Sequence, residues 1–364
     1  MASNTWNNLD DPGLYVRLDP SGLRKRLRDL PRHCLAAWRQ ARAFSLPEDW
    51  AASDEVVVGG MGGSAIAGAL AADLAATQGS VPILVVRDFR LPFAIGEHTL
   101  FVACSYSGNT EETIALFEQA VRAGARVVAI SHGGILAEKA GKHGVPLLAV
   151  DVAAEPRSAV GYNLLLILGL LGRMGLLRIG EEEVRGAVDS LSRRISHLTE
   201  DVPAADNPAK RLAMELTDKL ILVYGSGLFS GMADRWKTQF NENAKVWAVS
   251  EKIPELLHNS VEAFGVSFPP ADRMMALQLR PGLDEGGHGP HHEAVSELLE
   301  QNGIPHRTLR GQNGPPLGQL LETLLLGDYV SYYLALLQGV DPSPAPSIAA
   351  AKALLANPPE RGQG

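Results

Sequence analysis

Two short segments carry the residues best suited to chemistry. One is Gly59-Gly60-Met61-Gly62-Gly63-Ser64 and the other Ser105-Tyr106-Ser107-Gly108-Asn109-Thr110. Each follows an apolar run, Val56 to Val58 in the first case and Thr99 to Cys104 in the second. The pattern predicts a strand feeding a helix through a loop of glycines or hydroxyls. Such a loop offers unpaired backbone N–H groups and the positive end of a helix dipole to one anion. The hydroxyls of Ser64, Ser105, Ser107 and Thr110 add donors without a competing charge, so two such loops at one sheet edge would hold a phosphate monoester. The first loop by itself also fits a dinucleotide fingerprint, with Asp88 near the place of a ribose-binding acid. Either loop alone is also an ordinary turn with glycine for tightness and Ser or Thr as an N-cap. The Ser-x-Ser-Gly-Asn-Thr run has no counterpart in the dinucleotide pattern and turns the reading towards a phosphosugar.

The elements around these loops form a consistent frame. Residues 11 to 48 read as an amphipathic helical arm, with Leu23, Leu27, Leu30 and Leu35 among basic residues, packed on the domain that follows. From Glu55 to Val150, apolar runs near 55–59, 82–87, 99–104, 126–130 and 146–150 alternate with helix-length patterns, as in a doubly wound parallel sheet. Residues 155 to 199 read as a mostly helical connection, and Asp201 to Pro208 as a polar linker. Leu220 to Gly227 then repeats the pattern of Val56 to Gly62 at an offset that superimposes Gly225 on Gly60, but Leu228 and Phe229 replace Gly63 and Ser64. Only the first copy is therefore expected to bind phosphate. Strands near 246–250, 273–279 and 305–309 and helices near 291–302 and 317–338 complete the second copy. The Asp341-Pro-Ser-Pro-Ala-Pro346 segment is a stiff tether for one more helix, Ser347 to Leu355. The expected units are 1–48 (arm), 49–154 (first α/β domain), 155–208 (connection), 209–340 (second α/β domain) and 341–364 (tether, helix and tail).

Composition narrows the classes. The chain has 364 residues, 46% of them hydrophobic, and 33 Lys and Arg against 41 Asp and Glu, so it can bury large cores and carries a net charge of −8. No basic run exists and aromatics are 6%, which argues against nucleic acid as a partner. No leader-type apolar segment opens the chain, and no stretch reaches the roughly 18 apolar residues of a membrane span. The nearest, Leu164 to Leu177, is broken by Gly169, Gly172, Arg173 and Gly175 and reads as a buried helix. A cytoplasmic protein is expected. Cys34 and Cys104 read as buried reduced thiols, and Cys104 has no base beside it that would make it a nucleophile.

Five segments together resemble one family: Gly60 to Ser64, Ser105 to Thr113, Glu155-Pro-Arg-Ser-Ala-Val-Gly-Tyr162, Arg235-Trp-Lys-Thr-Gln-Phe-Asn-Glu-Asn-Ala-Lys245 and Pro254-Glu-Leu-Leu-His-Asn259. In order and spacing they are similar to the bifunctional phosphoglucose/phosphomannose isomerases, which are built from two sugar-isomerase (SIS) domains. The chain departs from that pattern after Ser64, where Ala65-Ile-Ala-Gly-Ala69 stands in place of a further glycine and an acid. The resemblance implies an α/β fold of two SIS-type doubly wound parallel-sheet (αβα) domains, with an N-terminal helical arm and a C-terminal helix. It also implies a homodimer with shared active sites, a hexose 6-phosphate as substrate, and no cofactor.

Interconverting an aldose phosphate with a ketose phosphate moves a proton between C1 and C2 through an enediol(ate). It needs a phosphate anchor, one base, a ring-opening group and a cation near the developing charge. Glu242, between Asn241 and Asn243, is the expected base, held by those amides. His258 matches the family's ring-opening residue and Asn259 is placed to orient it; the resemblance implies that this histidine and Lys352 of the terminal helix reach the sugar from the partner subunit. Arg157 supplies a permanent cation for the enediolate or the phosphate. Gly62, Gly63, Ser64, Ser105, Ser107 and Thr110 hold the phosphate. The Asp284-Glu-Gly-Gly-His288-Gly-Pro-His291-His292-Glu293 run contains zinc-type ligands, but its glycines predict a loop without the fixed spacing a site requires, so no metal is expected. The function expected is metal-independent interconversion of glucose 6-phosphate, and mannose 6-phosphate, with fructose 6-phosphate. Alternatives are an isomerase of another phosphosugar and an SIS-domain sensor that binds without turnover.

Overall fold

The computed structural model describes residues 7–78, 81–152, 155–265, 269–282 and 286–356. The chain opens with α1 (Pro12–Leu18), α2 (Leu23–Arg28) and α3 (Leu30–Ala43). The first sheet region is then β1 (Glu55–Gly60), α4 (Gly62–Ala76), β2 (Ile83–Val86), β3 (Thr99–Cys104), α5 (Glu111–Arg122), β4 (Arg126–Ser131), α6 (Gly134–His143) and β5 (Leu147–Ala149). Helices α7 (Val160–Arg173), α8 (Glu181–Ile195) and α9 (Pro208–Glu215) connect it to β6 (Leu220–Gly225), α10 (Ser230–Gln239), β7 (Ala248–Lys252), β8 (Met274–Arg280), α11 (Gly289–Gln301), β9 (His306–Arg310) and α12 (Pro316–Leu337). Helix α13 (Pro346–Ala356) follows the tether.

Both sheets are parallel throughout, in the orders β2-β1-β3-β4-β5 and β7-β6-β8-β9. Helices cover both faces, so central strands are apolar on every residue rather than alternately; all six residues of β3 are buried. Chain direction across the first sheet reverses between β1 and β3, and Gly60 is the register partner of Cys104. The loops that leave these two strands therefore start side by side at the carboxyl edge, the crevice where open α/β sheets bind ligands.

The expected single helical arm is instead three helices. The helix breaks at Asp19 and Pro20 although the apolar spacing runs on: the Asp19 carboxylate accepts the Leu23 and Arg24 N–H groups at 2.6 and 3.2 Å, and the first turn of a new helix starts there. Nor does the arm belong to the first sheet alone. Helix α3 packs on α7, while Tyr15 stacks on Tyr332 of α12 at 6.5 Å between centroids. Helix α12 is long and apolar enough to cross a membrane, the one such helix among the described residues, and 94% of its apolar window is buried inside the protein. The Leu164–Leu177 run lies in α7 and just beyond it, with every residue from Val160 to Leu171 buried.

The loop after β6 carries apolar side chains and lines a cavity of about 630 Å³. Leu228 and Phe229 are buried, and the Phe229 ring packs on Gly311. Across the two halves, Asp73 near the end of α4 accepts the Gly231 N–H of α10 at 2.6 Å. Burial pushes the Asp73 carboxyl up to about 7 and Asp234 adds to the rise, against the Gly231 N–H and Lys252, which pull it down. The folded protein thus holds this proton where the unfolded chain has released it, so wild-type stability falls as pH rises from about 4 to about 7. Asp73→Asn removes that ionisation. Its melting temperature relative to wild type is expected to increase between pH 4 and pH 8; a difference that stays flat across that range would refute the assignment.

Candidate active site

The two phosphate-type loops meet as two helix N-termini without caps. No side chain caps α4, which begins at Gly62, or α5, which begins after Thr110. Gly62 has φ +52°, a conformation glycine adopts freely. The Ser64 hydroxyl joins the loops by accepting the Tyr106 N–H at 3.4 Å. Ser105 is buried, accepts the Gly108 N–H at 3.2 Å and donates to Thr110 Oγ1 at 3.0 Å, which leaves the Thr110 hydroxyl proton directed elsewhere. Ser107 is exposed and accepts the Asn109 N–H at 3.2 Å. Below them Cys104 is wholly buried, and burial pushes its thiol up to about 12, which removes it as a nucleophile at neutral pH.

Gly63 connects this anion site to the next segment. A Cβ at position 63 would lie 2.9 Å from the Pro156 carbonyl oxygen and 3.4 Å from Arg157 Cα, so only glycine lets the Glu155-Pro156-Arg157 turn come down on the loop. From there Arg157 extends into the second half. Its Nε donates to Asn243 Oδ1 at 2.6 Å and one terminal nitrogen donates to the Pro342 and Ser343 carbonyls at 2.8 and 2.6 Å. The other terminal nitrogen lies 3.7 Å from Glu242 Oε2. Arg157 is 5% exposed, and burial lowers its pKa against the pull of Glu242 and Glu155, yet an arginine starts so far above neutrality that it remains a cation.

Glu242 sits where α10 widens into a π turn, Phe240–Ala244, and the chain then reverses at Lys245 with φ +58°. Wide turns of this kind and non-glycine residues in the left-handed region are concentrated at functional sites. The flanking amides do not hold the carboxylate, contrary to the sequence-based expectation. Asn241 donates to the Val246 carbonyl at 2.8 Å, and Asn243 faces the other way, to Arg157 and to Ser331 Oγ at 3.0 Å. The π turn changes which residues share a face, so the amides fix the backbone and the cation while Arg157 faces the carboxylate. Lys245 had no role in the sequence reading. Its ammonium donates to the Glu242 carbonyl and to the Pro344 carbonyl at 2.8 Å, so that Arg157 and Lys245 together fasten the tether beside Glu242.

Behind the turn, Arg235 pairs with both Asp328 oxygens at 2.8 and 3.0 Å and Gln239 donates to one of them at 2.8 Å. Ser331, the acceptor for Asn243, donates to the Asp328 carbonyl at 2.9 Å. Burial raises the Asp328 pKa and Arg235 opposes it. The signal for this network was visible: Asp328 and Ser331 are the polar residues in the otherwise apolar stretch Leu324 to Leu337 of α12.

The structure brings Gly62, Gly63, Ser64, Ser105, Ser107 and Thr110 together with Arg157 and Glu242. It does not bring His258 or Lys352 of the same chain to them. Strand β7 is parallel to β6, so residues after Lys252 lie at the edge where α10 begins, whereas Glu242 lies beyond its far end. His258 is exposed there. Asn259 does not orient it, since its side chain donates to Glu255 at 3.2 Å and accepts the Ser260 N–H at 2.5 Å. Lys352 is exposed on α13, no residue of which is buried. A cavity of about 770 Å³ opens beside Glu242, lined by Lys245, Trp247, Val249, Pro346 and Ile348 among others. Trp247 is 81% exposed there.

The histidine run divides. Asp284 and Glu285 lie outside the described residues; His291 and His292 belong to the first turn of α11 rather than to a loop. His292 is a core residue, with Nε2 2.8 Å from Ser226 Oγ and Nδ1 2.9 Å from Gln278 Oε1. Among the described residues, no group of three or more His, Cys, Asp or Glu side chains could hold a metal ion.

Comparison with known proteins agrees with this geometry. Residues 205–355 match the family described as bacterial phospho-glucose isomerase C-terminal SIS domain. A bifunctional phosphoglucose/phosphomannose isomerase of Caldicellulosiruptor bescii is 33% identical over 323 residues, 88% of this chain and 95% of that protein. One from Thermoplasma volcanium is 34% identical over 79% of this chain and 87% of its own. In three dimensions, a hypothetical protein from Thermus thermophilus superimposes with a TM-score of 0.71 at 18% identity, covering 94% of this chain and 92% of the other, and supports the fold. The identity and coverage of these relatives place the chain in the bifunctional phosphoglucose/phosphomannose isomerase family.

Proposed function

We propose that the protein is an aldose-ketose isomerase that interconverts glucose 6-phosphate and mannose 6-phosphate with fructose 6-phosphate. One observation carries this reading: Arg157 spans from the anion loops to Glu242, so a phosphate and a carboxylate are held one extended arginine side chain apart. That separation suits a hexose chain with its phosphate at C6 and its reacting carbons at the other end.

The uncapped N-termini of α4 and α5, with Ser107 and Thr110, bind the phosphate, and Ser105 aligns Thr110. Glu242 takes the proton from C2 of the open-chain aldose and returns it to C1 while the O2 hydroxyl proton passes to O1, so that the C1 carbonyl is reduced and C2 oxidised with no external electron carrier. Arg157 stabilises the negative charge that develops on the enediolate oxygen. Ring opening needs an acid-base group, which His258 of the partner subunit supplies, with Lys352 of the partner subunit beside it. The exposed Trp247, Val249 and Ile348 next to Glu242 favour this homodimer, because an apolar cavity wall at a site edge is a surface that a second copy would cover. We assign the protein to the cytoplasm, in keeping with two buried free cysteines.

The base is tested with Glu242→Gln. This protein should still bind fructose 6-phosphate, while isomerisation and solvent deuterium incorporation fall together by roughly 10²–10⁴-fold; incorporation at the wild-type rate would assign the proton transfer to another residue.

Shared sites are tested by mixing. Glu242→Gln and His258→Ala homodimers should each be nearly inactive. After subunits exchange, a mixed dimer has one intact site, and an equimolar mixture should recover roughly a quarter of wild-type activity. A mixture no more active than its components would place both residues in one subunit's site.

Exhaustive chelation should leave turnover intact. Activity lost with chelator and restored by zinc would overturn the metal-free mechanism.

A further inference from the structure

The two helices that carry the ends of the proposed site, α4 and α10, pack against each other. Their end contacts make them antiparallel. At one end, Gly63 in the first turn of α4 lies beneath Pro156 and Arg157, and Arg157 faces Glu242 just beyond the C-terminus of α10. At the other end, the Asp73 carboxylate of α4 accepts the Gly231 N–H at the start of α10. Gly62 to Asp73 and Gly231 to Glu242 are equal lengths of chain, each roughly 16 Å at 1.5 Å per helical residue.

The contact at Asp73 is specific. Helix α10 continues from a 3-10 turn, Gly227–Phe229, whose Gly227 carbonyl accepts the Ser230 N–H; the next N–H, that of Gly231, goes to Asp73. The approach is close as well: a Cβ at position 231 would lie 3.0 Å from Asp73 Oδ2 and 3.1 Å from Ala69 Cβ.

We infer that Asp73 is a positioning residue for Glu242: by capping α10 from the helix that bears the phosphate loop, it fixes the distance between the bound phosphate and the base. Asp73 touches no substrate. Arg235 and Gln239 hold the later turns of α10 to Asp328, and Asp73 holds its start; a shift of about 1 Å between base and reacting carbon can cost about 10²-fold in rate. The inference rests on the isomerase reading above.

The test compares wild type, Asp73→Ala and Asp73→Asn for kcat and KM with fructose 6-phosphate, and for amide hydrogen exchange at residues 231–234 and 241–243. Asp73→Ala should lose roughly ten- to hundredfold in kcat with KM changed less than about threefold, because phosphate binding is left in place. Amide exchange should accelerate at both ends of α10. Asp73→Asn, whose amide oxygen can accept the same N–H, should recover to within about threefold of wild type. The inference is overturned if Asp73→Ala keeps the wild-type kcat, if KM rises while kcat holds, or if Asp73→Asn is as slow as Asp73→Ala. Should Asp73→Ala fail to fold, Gly231→Ala, which crowds the same contact, should give the same split between kcat and KM. An inactive wild-type protein would overturn the isomerase reading alone, and exchange at residues 241–243 would then decide the role of Asp73 without any turnover.

Discussion

A guanidinium withdrawn from water must be surrounded by acceptors, or its desolvation goes uncompensated. For Arg157 those acceptors come from the π turn, from Glu242 and from the carbonyls of Pro342 and Ser343. They lie on segments far apart in sequence, and the backbone of Arg157 itself abuts the phosphate loop at Gly63. Satisfying one buried cation thus requires the first sheet, the end of α10 and the tether to be in register at once. The carboxylate is the least tightly held of the acceptors, at 3.7 Å rather than in a close ion pair.

The second half of the molecule uses the same architecture for a different purpose. Where the first half leaves a loop open for an anion, the second fills it with Phe229, and Ser226 at that sheet edge bonds to the buried His292. The second half gives the site its helix ends, α10 with its π turn and the tether after α12, while a separate cavity of about 630 Å³ remains at its own sheet edge, lined by Gly227, Ser230, Lys252 and Pro281 among others.

Most of the strands were legible because parallel strands buried on both faces read as unbroken apolar runs, as Val56 to Val58 and Thr99 to Cys104 do. The loops were legible through hydroxyls and glycines packed into a few positions. The arm was misread because its apolar spacing continues across Asp19 and Pro20, where local capping outweighs periodicity. The environment of Glu242 was misread for a related reason: neighbours in sequence are neighbours in space only if the helix keeps its usual pitch, and the π turn does not. The tether's part in the site had no sequence signature at all. It acts through the backbone carbonyls of Pro342, Ser343 and Pro344, a group every residue has.

That tether also sets a timetable. Pro342 is 185 residues downstream of the arginine whose guanidinium it accepts. At roughly 5–20 residues per second, translation separates the two by on the order of ten to forty seconds, and domains of a growing chain fold from the N-terminus. The first sheet can therefore be complete while Arg157 still lacks its partners from the second half. Such a nascent chain carries the Arg157 guanidinium before the acceptors of the π turn and the tether exist to surround it.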